Sequence, residues 1–182
     1  AVIASSHNAT TSITVTATDA AGNTDIKNVV LTAKDITSPV LTTAADQNVN
    51  LDAACSITVP DVRGTATDNC TVTIAQSPAI GAMIASSHNA TTSITVTATD
   101  AAGNTDVKNV VLTAKDITSP VLTAAADQDV NLDAACSITV PDVRGTATDN
   151  CTVSISQTPA IGAIIASSHN ATTSITVTAT DA

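Results

Sequence analysis

The residues of this chain that could do chemistry are four cysteines, three histidines and sixteen aspartates, with no glutamate among its 182 residues. Cys55 and Cys70 stand fifteen positions apart, as do Cys136 and Cys151. A zinc site needs a second pair of thiols or histidines at ligand spacing. None accompanies these cysteines, which leaves disulfides or buried free thiols. His7, His88 and His169 all sit in the string S-S-H-N-A-T-T. Serine, histidine and aspartate could compose a hydrolytic triad, but no nucleophile elbow is present, and every copy of the string would have to be an enzyme. The expectation is a solvated loop histidine and no enzyme.

The aspartates and asparagines form a different pattern. Asp19 and Asn23, repeated as Asp100 and Asn104, bracket an A-A-G turn. Asp35 and Asp116 open the string D-I-T-S-P, and Asp68 and Asp149 open D-N-C. Loop carboxylates and amide carbonyls are the ligands Ca²⁺ takes, so Asp19, Asn23, Asp35, Asp68, Asp100, Asn104, Asp116 and Asp149 form a candidate calcium set. The competing reading is that Asp and Asn bond their own backbone and simply make turns. No D-x-D-x-D-G loop decides between them. The N-A-T and N-C-T strings at Asn8, Asn89, Asn170, Asn69 and Asn150 are formal glycosylation acceptors, a match that threonine-rich sequence produces by chance.

All these residues recur because the chain repeats itself. A shift of 81 aligns residues 1–101 with 82–182, and only 8 of the 101 positions differ. A fixed period of this kind marks an array of structural modules. An active site is needed once, whereas reach and multivalency grow with copy number. The string D-I-T-S-P marks the hand-over at Pro39 and Pro120. Residues 38–118 then form one complete repeat, 1–37 the C-terminal part of a preceding one, and 119–182 the N-terminal part of a following one. The cut inside two copies predicts a window on a longer chain, with an unpaired strand edge on each partial copy.

Composition sets the class. Sixteen Asp against six Lys and Arg give a net charge of −10. Such a surface repels nucleic-acid backbones and anionic membranes, so neither is an expected partner. No apolar run is long enough for a membrane span. With 43% apolar residues the chain is not disordered in type.

Patterning says β. Ser12–Thr18 alternates strictly, with Ile13, Val15 and Ala17 on one face and threonine on the other. Cys55–Val59 and Thr71–Ala75 alternate likewise, and Asn28–Ala33 follows the turn at 19–23. Val40–Thr43, Val49–Leu51 and Ala79–Ile84 are weaker strands. Seven short strands per 81 residues predict an all-β fold of tandem immunoglobulin-like sandwiches forming an extended rod. The T-x-T-x-T row at Thr14, Thr16 and Thr18 is ordinary strand chemistry, since an ice-binding face would need such a row at every turn of a solenoid.

With no Phe, Tyr or Trp, the core must be built from Val, Ile, Leu and Ala, and a domain of this size is then marginal. A crosslink would help. Of the three pairings four cysteines allow, repeat symmetry favours Cys55–Cys70 and Cys136–Cys151, each within its module. A loop of about 15 residues makes each worth roughly 3 kcal/mol. Disulfides in turn imply an oxidising, extracytoplasmic location.

The string A-T-D-N-C at 66–70 and 147–151, followed by T-S-I-T-V-T-A-T-D-A-A-G-N at 92–104, resembles the hyalin-repeat (HYR) pattern. The D-I-T-S-P hand-over is similar to linkers of bacterial Ig-like adhesin repeats. The cysteine that many hyalin repeats carry after the A-G-N turn is absent. Near-identical, aromatic-free copies look most like the giant surface adhesins of gliding Bacteroidetes. That resemblance implies type IX secretion and a filament displayed on the cell surface for attachment and gliding. It also implies partners: neighbouring repeats, a secretion and anchoring machinery, and external surfaces or polysaccharide. The alternative is that each repeat binds carbohydrate or surfaces weakly and acts by avidity. Sugar-binding faces usually stack on Trp or Tyr, which favours the stalk.

Overall fold

The computed structural model describes residues 2–181. The chain is all-β, with no helix among the described residues. It opens with a hairpin, β1 (Thr10–Thr18) and β2 (Thr24–Thr32), paired antiparallel from Thr10↔Thr32 to Thr18↔Thr24. Eight strands follow: β3 (Val40–Thr42), β4 (Gln47–Asn50), β5 (Ser56–Thr58), β6 (Thr65–Thr67), β7 (Val72–Ser77), β8 (Met83–Ala85), β9 (Thr91–Asp100) and β10 (Thr105–Lys115). They pair as β3–β6, β5–β8 and a four-stranded sheet β4-β10-β9-β7. The next copy repeats three of these pairings, with β11 (Val121–Thr123) on β13 (Thr146–Thr148), β12 (Ser137–Thr139) on β15 (Ile164–Ala166), and β14 (Val153–Thr158) on β16 (Thr176–Asp181).

Residues 128–131, the copy of β4, form no strand. In the first copy this strand pairs with β10, and among the described residues nothing follows β16 to pair with 128–131.

Two compact units result. The first comprises Ala1–Gln47, Val59–Ala82 and Ser93–Leu112, and the second Asn48–Thr58, Met83–Thr92 and Thr113–Ala182. The first buries Leu41, Val59, Val62, Ile94, Val96, Ala98, Val110 and Leu112, and the second buries Leu51, Ile57, Ala114 and Val140. In β9 the alternation read from the sequence is realised, since Ile94, Val96 and Ala98 are all at 0% exposure. The same letters in β1 remain open, with Ile13 at 40% and Val15 at 54%. Val29 and Leu31, half exposed in β2, correspond to Val110 and Leu112, at 1% and 0% in β10. Apart from Val140, the buried apolar residues all fall between 38 and 118.

Backbone crowding explains one glycine. A Cβ on Gly64 (φ 66°) would meet the Thr42 carbonyl oxygen at 2.0 Å, and Gly145 repeats this against Thr123 at 2.1 Å. Both glycines lead directly into β6 or β13, where the partner strand passes close.

The disulfide differs from the expected pairing. Cys55 bonds Cys151, with Cα atoms 5.0 Å apart and a sequence separation of 96, while Cys70 and Cys136 are free thiols. The pairs Cys55–Cys70 and Cys136–Cys151 do not form. Cys55 and Cys151 both belong to the second compact unit. The bond joins one copy of the repeat to the next. Closing so long a loop removes about 4.7 kcal/mol of unfolded-chain entropy on the model that gave roughly 3 for fifteen residues.

The contrast in burial sets an expectation for stability. Ile94→Ala should cost about 3 kcal/mol in equilibrium denaturation, the usual price of a buried isoleucine. Ile13→Ala should cost under about 1 kcal/mol, although both residues sit in the string S-I-T-V-T.

Candidate functional site

Two short turns bring acids together. In D-I-T, the Asp35 Oδ1 accepts the Thr37 amide at 3.1 Å; in D-N-C, the Asp68 Oδ2 accepts the Cys70 amide at 3.0 Å. Both are Asx-turns, which an aspartate followed by an open loop makes readily. Each turn uses one carboxylate oxygen and leaves the other. Asp35 Oδ2 and Asp68 Oδ1 are buried without a hydrogen-bond partner, and ligand atoms of Asp35, Asp68 and Cys70 lie within 4.8 Å of one another. Asn69 Nδ2 also donates to Asp35 Oδ1 at 3.2 Å.

The second copy rebuilds the arrangement. Thr118 donates its amide to Asp116 Oδ1 at 3.0 Å and Cys151 donates to Asp149 Oδ2 at 3.2 Å. Asp116 Oδ2 and Asp149 Oδ1 are again buried and unpartnered. Here the third member is Asp181, within the same 4.8 Å. Asp181 is the third copy of Asp19 and Asp100, a correspondence the repeat made available and the candidate set omitted.

The histidines have a structural task that sequence reading missed. His7 Nδ1 accepts the Asp35 amide at 3.0 Å, and His88 Nδ1 accepts the Asp116 amide at 3.0 Å. Rather than being merely solvated, each histidine fixes the backbone of the aspartate that enters the cluster. The asparagine that follows, Asn8 or Asn89, sits at φ 59° or 61° and accepts from Lys34 or Lys115.

Asp19 and Asn23 are not gathered into either cluster. Asp19 Oδ1 accepts the Ala21 and Asn23 amides, and its Oδ2 accepts Asn23 Nδ2 at 2.9 Å. Asp100 and Asn104 make the same turn, and Asn104 Nδ2 also donates to the Thr37 carbonyl at 3.0 Å, pinning the turn against the D-I-T segment. For these four residues the turn-making role is what the geometry displays.

Two carboxyls, Asp35 and Asp100, are held toward the ionised form. The Cys70 thiol beside it, the Thr37 amide and the Asn69 side chain hold the Asp35 carboxyl below its ordinary value. For Asp100, burial pushes upward, but hydrogen bonds from Asn104, Ala102 and Gly103 win and the pKa falls. The neighbouring Asp35 and burial push the Cys70 thiol up. Lone carboxylate oxygens buried without donors are costly, and a hard divalent cation is the species that relieves them. The oxygen-only trio Asp116, Asp149 and Asp181 suits such an ion better than a set containing the Cys70 sulfur.

One open cleft, of about 820 Å³, is lined by residues including Thr42, Asp61, Arg63, Thr65, Val72 and Ile74. Arg63 grips Asp61 through Nε at 3.0 Å and Nη2 at 2.8 Å, holding that carboxyl at about 2. The guanidinium is thus already engaged.

Neither a family model nor a curated protein matches the chain. Among solved structures it is similar to the extracellular cadherin domains 1–4 of protocadherin gamma B7, at 16% identity and a TM-score of 0.34. The match covers 82% of this chain and 44% of that one.

Proposed function

We propose that the chain is a segment of a repetitive stalk in a large extracellular, cell-surface adhesin, structural rather than catalytic. The observation that carries this reading is the Cys55–Cys151 bond, which ties one copy of the repeat to its successor. An oxidised link between copies suits a chain that bears load outside the cell. In this reading residues 38–118 are the complete module, and copies follow one another in series. Attachment and gliding, type IX export and a surface or polysaccharide as the final target rest on the resemblance of A-T-D-N-C and D-I-T-S-P to adhesin repeats. Weak sugar binding by each repeat would find its most open concave surface in the cleft around Arg63. That cleft has no aromatic residue to stack on and a cation already paired with Asp61, so the stalk is favoured.

The acidic clusters fit a calcium role within the stalk. Asp116, Asp149 and Asp181 would hold the ion in one copy, with Asp35 and Asp68 as the corresponding oxygen donors in the other. The bound ion would neutralise the crowded carboxylates and stiffen the D-I-T-S-P segment that carries Asp35 and Asp116.

Stretching single molecules tests the load-bearing claim. With the disulfide intact, the 96-residue separation between Cys55 and Cys151 is locked, and reduction should add roughly 330 Å of contour length at about 3.4 Å per residue. The same extension before and after reduction would contradict the reading. For the ion, Ca²⁺ at about 100 times its dissociation constant should stabilise the protein by about 2.7 kcal/mol. The double change Asp116→Asn and Asp149→Asn should remove most of that gain in thermal unfolding. Because the Asp35 pKa is lowered on folding, its contribution is present above the ordinary carboxylate range and lost as pH falls through the lowered value.

A further inference from the structure

The junction between consecutive copies carries a ring of links that is closed on one side and open on the other. The Cys55 carbonyl accepts the Ser86 amide at 3.0 Å. Two residues along, His88 Nδ1 accepts the Asp116 amide at 3.0 Å. Asp149 Oδ2 accepts the Cys151 amide at 3.2 Å, and Cys151 returns to Cys55 through the disulfide. The open side is the step from Asp116 to Asp149, where ligand atoms of Asp116, Asp149 and Asp181 lie within 4.8 Å of one another. There Asp116 Oδ2 and Asp149 Oδ1 are buried and meet no donor. All of these residues belong to the second compact unit.

We propose that the disulfide and a divalent cation close this ring together, each strengthening the other. The Cys55–Cys151 bond raises the affinity of the Asp116, Asp149 and Asp181 cluster for calcium, and bound calcium makes the bond harder to reduce. This control rests on the calcium reading of the clusters and adds a redox dependence to the same site.

The cluster calls for a cation on burial alone. Asp35, the copy of Asp116, is at 8% exposure, and its Oδ2 again has no hydrogen-bond partner. A carboxylate oxygen so enclosed is costly until a cation faces it. The His–Asp contact and the D-N-C turn recur at His7–Asp35 and Asp68–Cys70, so these parts of the ring are written into the repeat.

Chain geometry ties the cation to the bond. Cys151 stands two residues after Asp149 and is held to it by the Asx-turn, so fixing the sulfur also fixes the carboxylate. Asp116 ends one copy of the repeat, whereas Asp149 and Asp181 belong to the next. Asn150 Nδ2 spans the same gap by donating to the Asp52 carbonyl at 3.1 Å. With the disulfide closed, the oxygens of both copies are already gathered, and the cation does not have to order them.

Charge acts in the same direction. Drawing Asp116 against Asp149 and Asp181 crowds like charges. That repulsion opposes the joint when the cluster is empty and is relieved when calcium is bound. The two effects are equal by linkage: the factor that the bond adds to calcium affinity is the factor that calcium adds to the stability of the bond.

Bond formation is a two-electron oxidation. The Cys55 and Cys151 thiols lose two protons and two electrons as their S–S bond forms, and the S–S bond of oxidised glutathione breaks to give two thiols.

Glutathione buffers of graded reducing strength, with calcium or with a chelator, test the proposal on the 182-residue protein. Peptide mapping after acid quenching follows the Cys55–Cys151 bond alone. Calcium should raise by at least about fivefold the ratio [GSH]²/[GSSG] at which half of the bond is open. In Asp116→Asn with Asp149→Asn, the bond should still form, and calcium should leave its midpoint in place. Asp35→Asn with Asp68→Asn leaves the Asp116 cluster to be titrated with calcium by calorimetry, and reducing the disulfide of that variant should weaken binding by the same factor. Calcium that binds oxidised and reduced protein equally, with an unmoved midpoint, would overturn the linkage and leave the calcium reading standing. An oxidised protein that takes up no calcium would overturn both.

Discussion

Burial of an aliphatic core without aromatics is the constraint on which the rest depends. Valine, isoleucine, leucine and alanine each cover little area, so a strand's apolar face stays open unless further strands pack on it. The contrast between Ile94 and Ile13, or Leu112 and Leu31, follows directly. Identical side chains on identical strands are sealed or open according to what else packs on them.

Turn chemistry converts that scaffold into sites. Every recurrent Asp–x–Thr or Asp–Asn–Cys string folds as an Asx-turn, which satisfies one carboxylate oxygen and leaves the other. Where two such turns meet, as at Asp35 with Asp68 and at Asp116 with Asp149, the leftover oxygens converge. The histidine from S-S-H-N positions one of the turns by accepting its amide. A turn that stands alone, such as Asp19 to Asn23, spends its oxygens on its own backbone and side chain. The same residue type thus makes a turn or a charged cluster depending on its neighbours.

The strands were legible because alternation is a local property. Ser12–Thr18 and Asn28–Ala33 appear as β1 and β2 with small shifts in their bounds. β6, the three residues T-A-T at 65–67, was not read as a strand, since one alanine between threonines carries no apolar pattern and its pairing with β3 is a tertiary matter. The disulfide was illegible for a deeper reason. In a near-perfect repeat, pairing of i with i+15 and of i with i+96 are both compatible with the period, and only the fold separates them. The acids of the two clusters were all legible, Asp181 through the repeat although the candidate set omitted it, but which of them converge is a property of the fold.

Backbone amide hydrogen exchange, resolved at individual residues, tests the central claim most directly. If a complete copy of the strands is what seals the core, amides of β9 and β10 should exchange through global unfolding, while those of β1 and β2 should exchange several orders of magnitude faster despite sharing their sequence. Protection in β1 and β2 equal to that in β9 and β10, in the monomeric protein, would contradict the account.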